Sequence, residues 1–158
     1  MKTYPFLSLL FSLFFFSQSA GAASNLEFEG AWIAEAPPRA KVLVAYMEIK
    51  NSGDEVVKIV SASSESFKRI TFHQTQQKGE MATMSHSDAL IIPANGKLVL
   101  EAGSHHIMLF DPVKKLKAGD QVDFDFTLEN GETIKLTVPV KKQGSDENSH
   151  DHSAHQHH

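Results

Sequence analysis

Apolar positions along this chain recur in short alternating runs, broken by Gly, Pro, Asn and Asp at regular intervals. A period of two sends successive side chains to opposite faces of an extended backbone, so such runs predict half-buried strands. Leu26-Glu27-Phe28-Glu29 alternates and leads into Gly30-Ala31-Trp32-Ile33. From Val42 to Lys50, Val42, Val44 and Tyr46 share one face, while Leu43, Ala45, Met47 and Ile49 share the other, which assigns Met47 to the core. Val56 to Ser61 and Phe67 to His73 read as further strands. Ala89 to Pro93 and Lys97 to Glu101 flank an Asn95-Gly96 pair suited to a tight hairpin. Val122, Phe124, Phe126 and Leu128 line one side of another strand, and Ile134, Leu136, Val138 and Val140 answer them across Glu129-Asn130-Gly131-Glu132. Gln74 to Met84 is polar with Gly79 at its middle, which predicts a flexible loop. No convincing helical period occurs. The sum is an all-β, Ig-like Greek-key β-sandwich of about 7–9 strands.

The two ends do not share this pattern. Lys2 precedes an almost unbroken apolar run from Phe6 to Phe16, and Ala20-Gly21-Ala22-Ala23 offers the small residues of a cleavage site. Residues 1–23 therefore read as a secretory signal peptide. The run is too short to span roughly 30 Å of hydrocarbon, which takes about 20 residues, so no stable membrane insertion is expected after cleavage. Residues 24–140 form the expected single domain. From Lys141 to Ser149 the chain is polar without an apolar face, and residues 141–158 read as a disordered tail. Five of the nine histidines fall in it: His150, His152, His155, His157 and His158.

Charge and cysteine content narrow the chemistry. The formal net charge is −4, and no basic stripe with interleaved aromatics exists, so nucleic acid is excluded as a partner. Cysteine is absent. That removes a disulfide framework, thiol nucleophiles, thiolate zinc clusters and a blue-copper thiolate site together. No nucleophile, base and orienting group suggest hydrolysis either, so the chain does not read as an enzyme.

One constellation remains. His73, ten residues, Met84, twenty-one residues, His106, one residue, Met108 is a set of two imidazoles and two thioethers. Thioethers are soft and neutral, and this donor set suits Cu(I). His106 and Met108 share one face of a strand and can chelate a single ion, whereas His105 projects the other way. Met84 lies among Thr83, Ser85 and His86, where an exposed thioether has no packing rationale. Met81 and His86 are secondary candidates near it. The tail imidazoles, with Asp151, favour borderline ions and are expected to capture Cu(II).

This spacing resembles the ligand motif of the periplasmic copper chaperone family PCu(A)C. The likeness extends to Ala31-Trp32, Pro37-Pro38, Ala45-Tyr46, Asn51-Ser52-Gly53, Ile92-Pro93-Ala94, Gly119-Asp120 and Val138-Pro139-Val140, and it covers about residues 28 to 140. The resemblance implies a cupredoxin-like β-sandwich in the periplasm. It further implies that Cu(I), held by His73, Met84, His106 and Met108, goes to cytochrome c oxidase assembly. Subunit II with its copper-A centre, and other copper-assembly proteins, would be the partners. Two departures stand out: Gln74 follows the first His where the family often has Met, and Ser85-His86 follows Met84 where a basic residue is common. The alternative is periplasmic copper sequestration for tolerance, without a dedicated acceptor.

Overall fold

The strongest alternation in the sequence becomes the innermost face of the protein. In the computed structural model, which describes residues 25–78 and 81–142, Val122, Phe124, Phe126 and Leu128 are all buried. Among the described residues there are ten strands and no helix. They are β1 (Leu26–Ala34), β2 (Val42–Asn51), β3 (Val57–Ser63), β4 (Phe67–Lys78), β5 (Met81–Ser87), β6 (Leu90–Ile92), β7 (Gly96–Leu100), β8 (His105–Pro112), β9 (Gln121–Leu128) and β10 (Thr133–Lys141). The strand order is β5-β4-β8-β7-β2-β1-β10-β9-β3-β6, with β8 also pairing β2. Only a short parallel ladder, Ile33 to Val140 and Ala34 to Lys141, joins the β1 half to the β10 half. The sheet curls there, and its two halves enclose one core. Phe67 of β4 lies 6.5 Å from Phe124 of β9, and Phe28 of β1 stacks 5.4 Å from Phe126. The all-β expectation holds, and Met47 is buried at 3% exposure as the alternation predicts.

Two local readings are corrected. Gln74 to Lys78 and Met81 to Met84 are strand, not loop. β4 continues to Lys78 and β5 runs antiparallel to it from Met81, in register from Phe72–Ser87 to Lys78–Met81. A backbone ladder needs no apolar face, and threonines such as Thr75 and Thr83 favour extended backbone. β6 and β7 do not form a hairpin either. β6 pairs with β3, and β7 pairs with β2, so the segment between them crosses from one half of the sheet to the other. Asn95 does adopt a positive φ of 50°, and its amide donates to the Gly53 carbonyl at 2.8 Å. At Gly96 a Cβ would come within 2.7 Å of Pro93, so the crossing leaves no room for a side chain.

A bulge in β1 decides which residues reach the outer surface. Leu26 to Glu29 pair with β2 in one register, and Trp32 and Ile33 resume it one residue out of step. Gly30, at φ +57°, absorbs the extra residue. The slip turns Ile33 inward to full burial and places Trp32 outward beside Tyr46, their rings 5.2 Å apart.

Candidate metal centre

The outer face of β5, β4 and β8 gathers the candidate donors. β8 alternates strictly: Ile107 and Leu109 are fully buried in the core, so His106 and Met108 face the other way. β4 lies beside β8 with His73 opposite His106 and Thr71 opposite Met108. β5 lies on the far side of β4 with His86 opposite His73 and Met84 opposite Thr75. Residues directly opposite in an antiparallel pair share a face. His73, Met84, His106 and Met108 therefore lie on one surface, and His86 lies with them.

The arrangement is a row with two diagonals. His86, His73 and His106 stand side by side across three strands. The His73 ring is 5.9 Å from His106, nearly parallel to it, and 5.7 Å from His86, nearly perpendicular to that ring. Met108 and Met84 sit one step to either side of this row, next to Thr71 and Thr75 respectively. Diagonal neighbours in a sheet are roughly 7–8 Å apart, within reach of a long flexible side chain. His106 is only 6% exposed, whereas Met84 is 54% exposed.

Hydrogen bonds already orient both principal imidazoles. His106 Nδ1 lies 3.2 Å from the Ser104 carbonyl. A carbonyl only accepts, so Nδ1 carries the proton and Nε2 keeps its lone pair for a metal. His73 Nε2 lies 3.0 Å from the Thr71 hydroxyl, and its Nδ1 is buried with no hydrogen-bond partner. An unpartnered buried nitrogen is costly unless something else occupies it. With the Nε2 proton donated to Thr71, the buried Nδ1 keeps its lone pair free for a metal, as in a ligand oriented from behind. Burial lowers the His73 pKa below the ordinary 6.5, and repulsion from His106, His86 and Arg69 lowers it further. The ring thus stays neutral, the form that binds metal.

The remaining candidates separate clearly. Met81 pairs with Lys78, an odd number of residues from Met84, so it belongs to the reverse side of β5 and is 72% exposed. His105 pairs with Gln74 and faces away from His106. His150, His152, His155, His157 and His158, and the leader 1–23, lie outside the described residues. Among the described residues, no three His, Cys, Asp or Glu side chains already converge as a metal would need. A site on this face must recruit the thioethers or draw the imidazole row together.

Sequence reasoning passed over Thr71, Tyr46 and Trp32. Thr71 stands two residues before His73, so strand alternation alone would have found it. Tyr46 stands two residues after Val44, which pairs with Met108, and with Trp32 it walls the β2 side of the same face. Burial raises the Tyr46 pKa, keeping its phenol neutral. Trp32 could be placed only by knowing the bulge at Gly30.

Residues 26–140 match the family described as "Putative lipoprotein LpqE-like". A relative called "Putative lipoprotein Lxx21020", from Leifsonia xyli subsp. xyli, is 30% identical over 128 residues, covering 80% of this chain and 76% of that one. The solution structure of CuI-DR1885 from Deinococcus radiodurans is 33% identical, with a TM-score of 0.62 over 80% of this chain and 85% of that one. The copper-bound PCuAC domain from PmoF2 shares the fold at 19% identity, with a TM-score of 0.66 over 77% of this chain and 97% of that one.

Proposed function

Since this chain belongs to the LpqE-like family, we propose that it is an exported copper chaperone. It binds one Cu(I) through His73, Met84, His106 and Met108 and delivers it in the periplasm to the copper-A centre of cytochrome c oxidase subunit II. The observation that carries this reading is the His73 imidazole. Its Nδ1 is buried without a partner, at the centre of a face that holds one further oriented imidazole and two thioethers. Neutral thioethers favour a monovalent soft ion without deprotonation, and neutral imidazoles complete a shell with no net charge. The related DR1885 structure with Cu(I), 33% identical, supports the choice of metal. The leader read from residues 1–23, and the lipoprotein description of the family, support export.

Transfer requires ligands that an acceptor can displace one at a time. Met84 is the most exposed of the four donors and sits on an edge strand, so it is the first an incoming protein reaches. His106 is the least exposed and is the last to let go. The tail imidazoles His150, His152, His155, His157 and His158 act separately. They capture Cu(II) and raise the local copper concentration through a short tether.

The test is to load the protein with one Cu(I) and mix it with an equal amount of apo copper-A domain of subunit II. Appearance of the copper-A absorption is the expected result. Retention of Cu(I) by the chain would favour sequestration, the alternative reading that the same site would also serve. His106→Ala should abolish stoichiometric Cu(I) loading in the same assay.

A further inference from the structure

β5 offers two donors to the outer face, and the proposed Cu(I) site uses only one of them. Met84 and His86 are alternate residues of this strand and share its outer side. Their positions differ. His86 stands directly opposite His73, while Met84 stands opposite Thr75, one diagonal step away. An ion held by His73 therefore has an imidazole of β5 directly opposite it, and the thioether of β5 one diagonal step away.

We infer that His86 joins His73 and His106 as a three-imidazole site for Cu(II), overlapping the Cu(I) site on the same face. This inference rests on the copper reading above and assigns a second oxidation state to the same surface. Cu(II) is a borderline ion that prefers nitrogen and oxygen donors, whereas Cu(I) accepts thioethers. Metal softness thus chooses between the two β5 side chains. Asp88 is the second indication. Its carboxylate lies 3.6 Å from His86 Nε2, which places an anionic oxygen beside the row where a divalent ion gains most from it.

The row must close for this to happen. His86 and His106 flank His73 from opposite sides, and the three rings do not yet surround one point. β5 is built to move its side chains. Six of its seven residues are exposed and none is buried, so turning His86 toward His73 disturbs no core packing. The buried orphan at His73 Nδ1 then gains a partner.

The experiment is a Cu(II) titration of the full chain followed by backbone amide NMR, on wild type, His86→Ala and His86→Asn. With less than one equivalent of Cu(II), paramagnetic broadening in the wild type should reach His73, His86 and His106. Competition with glycine should show Cu(II) at this face bound about 10- to 100-fold more weakly in both variants. Cu(I) affinity should change less than twofold. Broadening confined to the histidine tail in the wild type, or equal Cu(II) affinity in His86→Ala, overturns the inference. Failure of the wild type to bind Cu(I) would instead strike the chaperone reading, so the two failures are distinguishable.

Discussion

Two hairpins of this protein are built on opposite principles. β9–β10 runs in unbroken register from Thr133–Thr127 to Pro139–Gln121, and its inward side chains Val122, Phe124, Phe126, Leu128, Val138 and Val140 are all buried. β4–β5 is an equally regular ladder, yet β5 contributes no buried side chain at all. The core holds the first hairpin. The second is held by its backbone pairing to β4, and β4 by its pairing to β8. The difference frees the side chains of β5 for chemistry: a residue that carries no packing energy can be a displaceable ligand without cost to the fold.

The comparison breaks first at Phe126, which is fully buried and touches both Phe124 and Phe28. Phe126→Ala should lower stability by about 3–5 kcal/mol, because a large cavity replaces a stacked ring. Urea unfolding measures this as a fall in midpoint at unchanged slope. Copper binding by the folded fraction should be intact, since Phe126 is a core residue and the donors share the outer face of β5, β4 and β8. A loss of less than about 1 kcal/mol would mean that the β9–β10 hairpin is not held by its core face.

Met84 provides the converse. Met84→Leu keeps the size and removes the sulfur from an exposed position. Stability should stay within about 0.5 kcal/mol of wild type, as for surface changes generally. Cu(I) affinity should fall about tenfold, roughly 1.4 kcal/mol, in competition with a Cu(I) chelator. Unchanged affinity and unchanged transfer rate would remove Met84 from the site.

The same contrast explains which parts of the molecule could be read from sequence. The β9–β10 hairpin was legible because burial writes a period of two into residue type. His106 and Met108 were legible for the same reason, their neighbours Ile107 and Leu109 being core residues. β5 left no such trace, so His86 could not be placed against His73 until the register was known. The β6–β7 segment misled because Asn95-Gly96 does turn the chain, but Leu90 and Ile92 belong to the other half of the core. A turn signal fixes local backbone and says nothing about which strand becomes the neighbour. Trp32 needed a one-residue bulge to reach the outer face, and alternation read across Gly30 would have placed it inward.

The smallest expected effect concerns protons rather than metal. His73 sits where the polar hairpin meets the core-backed strand β8, half-buried, facing His106 on β8, His86 on β5 and Arg69 on its own strand. Its folded-state pKa is lowered, chiefly by burial and then by these neighbours. In the metal-free protein its imidazole should therefore titrate below 6.5 by NMR. The sign for stability follows. Between the lowered value and the unfolded value near 6.5, the unfolded chain holds a proton that the folded one does not, so stability falls as pH drops through that window. Below the folded value this contribution stops changing. His86→Ala removes one repulsion and should move the His73 titration part of the way back up, while Phe126→Ala should leave it where it is. A His73 titration at or above 6.5 in the wild type would mean that this ring is better solvated than its orphaned Nδ1 implies.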